Sequence, residues 1–173
     1  MEILENREPW IETYRQVWLT NLAATGATDW RIYPIPRNEK TPGARGVKLS
    51  ESRLMLISSA GGYLQGSQEP FDAVDLLGDY TMRTFPANTP FQDLAYAHDH
   101  YDHAMIERDP QVALPLRHLQ KLVADRRIGS LTSSVVSFMG YQPDAARTVD
   151  ELVPRIAAIA REERADAALL APV

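Results

Sequence analysis

Two short apolar runs, Leu54-Met55-Leu56-Ile57 and the stretch ADAALLAPV at 165–173, restrict the folds open to this chain. Each is nearly continuous rather than alternating, which is how a strand covered on both faces reads, and each is too short for a core helix. The first closes in Ser58-Ser59-Ala60-Gly61-Gly62, so its carboxyl end opens into a loop. Helix patterns lie between the runs. Residues 114–126, after Asp109-Pro110, put Leu116, Leu119, Leu122 and Val123 on one face and exit at Ile128-Gly129. Thr148, three residues before Glu151, reads as a capping box, followed by Val149, Leu152, Val153, Ile156, Ile159 and Ala160 on one face. Pro154 works against that helix, because it removes a backbone donor.

Further strands are expected at 80–85, stopped by Pro86, and at 131–139, where a helix start is the alternative. Strand, helix and strand in alternation predict an α/β fold: an open, mostly parallel sheet with helices on both faces. In such a sheet the site lies outside the carboxyl ends of the strands, so the loops after Ile57, Phe85 and Val173 are expected to converge.

Residues 8–24 carry Trp10, Ile11, Tyr14, Val17, Trp18 and Leu22 at helical spacing and end at Gly26. The proline- and glycine-bearing stretch 34–46 has no periodicity and reads as a loop, not a hinge between domains. One domain over 1–173 is expected, with 1–46 a helix and loop ahead of a core at 47–173; 173 residues suffice to bury a core. With 18 basic against 23 acidic residues there is no basic stripe to collect a phosphate backbone, so nucleic acid is not an expected partner. No window approaches the roughly 20 apolar residues that span a bilayer, and the start MEILENREPW has no signal layout. The expectation is a cytoplasmic chain, mature from Met1 and without membrane partners. Cysteine is absent, which removes disulfides, thiolate metal sites and a cysteine nucleophile from these residues.

The densest chemical cluster is His98-Asp99-His100-Tyr101-Asp102-His103. Imidazoles at His98, His100 and His103 suit zinc, iron or nickel. The letters match the HxHxDH of metallo-β-lactamases, but that superfamily needs ligands far downstream and only His118 follows here. A solvated polar loop, a substrate anchor and a divalent-metal site are therefore all open readings. Gly61-Gly62 shapes a tight turn or lets backbone amides approach an anionic group, although no phosphate-loop pattern accompanies it. Glu69, Asp72 and Asp75 read as a solvated loop or as carboxylates that hold an ammonium group. Ser133, Ser134 and Ser137, near Tyr141, have no visibly spaced general base and read as packing and backbone hydrogen bonding.

Four segments in order, RLMLISSAGGYLQGSQEPFD, HDHYDHAMIERDPQVALPLRHLQKLVADRRIG, SFMGY and ADAALLAPV, lie within the span 53–173. In these the chain resembles the selenoprotein B component of glycine, sarcosine, betaine and D-proline reductases. The resemblance implies an oxidoreductase subunit that binds a small amine, amino acid or betaine. It would assist reductive C–N cleavage through a selenocysteine or cysteine, with electrons from partner proteins. It puts His98, His100, Tyr101 and Asp102 at the catalytic site: the histidines and Tyr101 position substrate, and Asp102 orients a histidine or counters a cation. Gly61, Gly62 and His103 would shape the substrate pocket. In that family the redox residue directly follows the ADAxLLxPV strand, so the resemblance leads to the expectation that the gene continues past codon 173 through an in-frame UGA. A strand left without its following helix would expose apolar surface and favour self-association.

Two rival classes stand beside it. One is a metal-dependent enzyme using His98, His100 and His103 to activate a water. The other is a non-catalytic protein that binds a small molecule. No cofactor signature occurs in the chain, and a divalent metal enters only under the first rival.

Overall fold

Trp10, Tyr14 and Trp18 recur every fourth residue, so a helix brings all three rings to one side. The computed structural model, which describes residues 3–40, 46–97 and 101–173, shows that helix. It runs as α1 (Arg7–Thr13), one wide turn over Tyr14–Leu19, and α2 (Thr20–Thr25), and Gly26 ends it at φ 68°. The three rings stack at 4.7 and 5.3 Å between centroids, and Tyr33 meets each of them edge-on. Val17, expected on this face, points to solvent. The described part of the proline-rich loop lies along the helix: Trp10 Nε1 donates to the Pro34 carbonyl and Asn6 Nδ2 to that of Ile35.

The first apolar run is β1 (Arg53–Ser58), and β2 (Gly62–Leu64) follows. Next come β3 (Met82–Pro86) and β4 (Leu94–Tyr96), the latter antiparallel to β2 in a two-stranded ribbon. Helices α3 (His103–Arg108) and α4 (Leu116–Ala124) lead to β5 (Ser130–Leu131) and β6 (Ser134–Phe138). Helices α5 (Ala145–Arg147) and α6 (Val153–Glu162), joined by a wide turn over Thr148–Leu152, precede β7 (Ala167–Ala171).

In the main sheet β5, β6 and β7 all run parallel to β1, and β3 runs antiparallel to β6. Leu54 pairs with Leu131 and Ala167, while Ile57 pairs with Val136 and Leu170. A strand has two edges, so β5 and β6 share one edge of β1 and β7 takes the other. Three steps along β1 (Leu54 to Ile57) face five along its neighbour (Leu131 to Val136), which makes Thr132-Ser133 a two-residue bulge. Glu163 clamps it by accepting from Ser133 Oγ and Ser134 N.

Helices cover both faces, as expected. Leu54, Leu56, Phe85 and Val135 pack with Leu114, Leu116 and Leu119, and Met55, Ile57 and Val136 pack with Ile156, Ile159 and Ala160. Several expectations need correction. Because β3 is antiparallel, the loop after Phe85 emerges at the opposite end of the sheet from the loops after β1 and β6; Ala87 N bonds Ser133 O there. β3 also begins at Met82, not Tyr80, and includes Pro86, which an edge strand tolerates. β7 is parallel but not buried: as the other edge strand it leaves Leu170 66% exposed. Leu122 likewise faces outward. The helix before β7 is capped by Asp144, whose carboxylate accepts from Arg147 N. Thr148 is no cap; its hydroxyl bonds the Gln142 side chain and the Asp144 carbonyl, and Glu151 pairs with Arg147. The helix runs unbroken from α5 through the wide turn at Thr148–Leu152 into α6, and Pro154, which lacks a donor, stands directly after that widened turn.

Candidate functional site

The chain leaves β1 toward α3 and α4 on one face of the sheet and leaves β6 toward α5 and α6 on the other. These adjacent parallel strands therefore form the point where a ligand crevice opens in an α/β sheet. Here the crevice is laced shut. Gly61 N donates to the Phe138 carbonyl and Gly140 N to the Ser59 carbonyl, each at 2.9 Å, around an antiparallel bridge between Ala60 and Met139. Val173 N donates to Ser59 Oγ at 3.0 Å, so the ends of β1, β6 and β7 meet at Ser59.

Gly61 turns the chain at φ 66°, and its carbonyl accepts from Ala97 N. Gly62 is needed for space: a Cβ there would lie 3.3 Å from Tyr96 Cε1 and 3.5 Å from Ser137 Oγ. Those two neighbours are unusual. The Ser137 hydroxyl and the Tyr96 hydroxyl are both buried and have no hydrogen-bond partner among the described residues. Burial alone pushes the Tyr96 phenol up to about 12, so it stays protonated and able to donate at neutral pH. Ser58, equally buried, is satisfied: it donates to the Ala113 carbonyl at 2.9 Å and accepts from Ala60 N.

The second predicted segment comes to the same place. Tyr101 OH donates to the Ala60 carbonyl at 2.9 Å, and its ring stacks on His103 at 4.8 Å. His103 begins α3 and lines a pocket of about 370 Å³ together with Phe91, Leu94, Tyr96, Ile106 and Glu107. Glu107 supplies a carboxylate, and Phe91 and Tyr96 supply ring surface; Arg117 covers Phe91 at 5.0 Å. Two other hollows, of about 400 and 520 Å³, follow the N-terminal helix and its loop and include none of the predicted site residues.

The Asp102 carboxylate caps α3, its Oδ1 accepting from Ala104 N at 2.9 Å, the ordinary task of an aspartate at that position. His98 and His100 lie outside the described residues. Among the described residues no group of three or more metal-ligating side chains is gathered, and His118 sits exposed on α4. Glu69, Asp72 and Asp75 form no convergent site: Asp72 and Asp75 each accept from backbone amides of their own loop, and Glu69 is exposed. Ser133 and Ser134 serve the bulge. Sequence reasoning missed Tyr96 and Glu107. Tyr96 sits on a three-residue strand too short for a periodic signal, and Glu107 lies on a helix too short for one.

The chain matches no protein-family model, no curated protein and no solved structure. No helix among the described residues is long and apolar enough to cross a membrane.

Proposed function

We propose that the pocket between α3 and the β2–β4 ribbon binds a small amine, amino acid or betaine. On this reading the chain is the substrate-holding part of a reductase subunit of the selenoprotein B type. The observation that carries it is the Tyr96 hydroxyl, buried without a partner among the described residues on the side chain that walls the pocket. An unsatisfied buried hydroxyl costs about 1–3 kcal/mol, and an acceptor on a bound ligand that reached it would remove that cost. Glu107 offers a counter-charge for an ammonium group, and the Tyr96 ring offers a surface that attracts cations. With no cysteine, the chain as given holds and orients substrate and leaves the electrons to another group.

Calorimetric titration with glycine, sarcosine, betaine and D-proline tests this reading. We expect one of them to bind, with at least about tenfold weaker binding in Glu107→Gln and in Tyr96→Phe, the loss of about one charge-assisted or neutral hydrogen bond. Absence of binding by all four, or unchanged binding in both variants, overturns it. The redox part is tested separately by sequencing the transcript beyond codon 173. An in-frame selenocysteine or cysteine codon there supports the reductase, and a frame without either overturns the redox part and leaves the binding reading.

A further inference from the structure

The loop 72–78 holds apolar side chains in water on a tightly bonded backbone. Val74 is 80% exposed, and Leu76 and Leu77 are more than 40% exposed. Asp72 Oδ1 accepts from Val74 N and Asp75 N, Asp75 Oδ1 accepts from Leu77 N, and Gly78 N bonds the Asp75 carbonyl. Phe71 and Tyr80 on either side are buried, so the loop is anchored at both ends while its middle faces outward.

An exposed ring, that of Trp30, joins this surface through Tyr141. Tyr141 OH donates to the Leu76 carbonyl at 2.9 Å, and the Tyr141 ring meets Trp30 edge-on at 5.9 Å. Trp30 is 50% exposed, with its inner side against Trp18 and Tyr33. Trp30, Val74, Leu76 and Leu77 thus form an apolar patch bridged by Tyr141. A large half-exposed tryptophan in such a patch is typical of an interface anchor.

The charge around the patch is one-sided. Residues 54–82 contain no lysine, arginine or histidine but carry Glu69, Asp72, Asp75 and Asp79. The nearest cations are already engaged. Arg83 donates to the Glu69 and Pro70 carbonyls and lies over Phe71, while Arg31 is paired with Asp29.

We infer that this patch is a docking surface for a basic, apolar segment of a partner protein, in which lysine or arginine stands among leucine, isoleucine or phenylalanine. Its apolar side chains would cover Trp30, Val74 and Leu76, and its cations would meet Asp72 and Asp75 at the rim. A second copy of the chain would bring like carboxylates together, and an anionic lipid surface would be repelled by the same groups.

The test uses the full chain and a short fluorescein-labelled peptide of lysine, leucine and glutamine, beside an isomer with glutamate for lysine. Fluorescence anisotropy should show binding of the lysine peptide only, weakening as salt rises from about 50 to about 300 mM. The double variant Val74→Ser/Leu76→Ser, and separately Trp30→Ser, should bind at least about tenfold more weakly, as loss of an interface anchor does. Far-ultraviolet circular dichroism melts serve as the folding control for each variant. Equal binding of the two peptides, or unchanged affinity in a folded double variant, overturns the inference. So does a dimer of the unmodified chain that the double variant disperses, since the patch would then belong to a second copy. Patch-dependent retention on anionic vesicles would also overturn it.

Discussion

Ser58 and Ser137 are both fully buried on adjacent strands, yet they should respond oppositely to loss of the hydroxyl. Ser58→Ala would strip the buried Ala113 carbonyl of its donor and Ala60 N of its acceptor, at a cost of about 1–3 kcal/mol. Ser137→Ala would remove a hydroxyl that has no partner among the described residues, and the unfolding free energy should stay level or rise by up to about 1 kcal/mol. Urea titrations of the two variants check this, and a loss above about 1 kcal/mol in Ser137→Ala would show that its hydroxyl has a partner in solution. Nothing in the sequence separates these serines, because each stands among other serines and partner geometry depends on loops far away along the chain. Gly61, Gly62, Tyr101 and His103 were legible as a candidate site, and the fold does bring their two segments together through Ala60 and Tyr96. The capping role of Asp102 was not legible, because a helix cap and a catalytic carboxylate look alike as letters.

At the scale of elements, the helices were readable from their apolar spacing and the turns inside them were not. The stacked rings of the N-terminal helix and the wide turn before Pro154 both depend on how the helix meets its neighbours. A proline in a regular helix interior costs about 3 kcal/mol, but the wide turn over Thr148–Leu152 already departs from regular bonding just before Pro154. Pro154→Ala should therefore raise stability by less than about 1 kcal/mol, whereas a gain near 3 would mean that the turn stores strain. Asp144→Ala should lose about 1 kcal/mol with the amide of Arg147 unpaired, and Thr148→Ala should cost less, because it does not cap the helix. Both follow from thermal melts of single variants. The capping-box pattern misled because Asp144, four residues earlier, had already started the helix.

For the molecule as a whole, the α/β class and the two-faced cover of helices were visible in the order of the elements, while the reversed direction of β3 was not. An edge strand has no sequence mark of its direction, and that single reversal sends the loop after Phe85 to the far end of the sheet. The response to acid is also a property of the whole chain. Arg31 holds the Asp29 carboxylate down to about 2, and Arg7 and Arg147 likewise lower Asp150 and Glu151. Burial pushes Asp79 up, but hydrogen bonds from Thr81 and Asp72 leave it below the usual range. Carboxylates lowered by folding contribute stability above their unfolded values, near pH 4, and lose it as pH falls through the folded ones. The urea midpoint should be level from about pH 7 to 5 and fall below about pH 4, with a shallower fall in Asp79→Asn. A midpoint independent of pH down to about 3 would contradict this assignment.

The bulge at Thr132-Ser133 sets a rule for how the chain can change length. Because it inserts an even number of residues, Leu131 stays on the α4 face and Val136 on the α6 face. Deleting one residue there would turn β6 inside out, exchanging Val135 with Val136 between two different cores. Deleting both would only straighten the ribbon and release Glu163. Insertions and deletions at this point should thus be tolerated in twos and rejected singly, so that lineages carrying this fold would differ here by whole pleats.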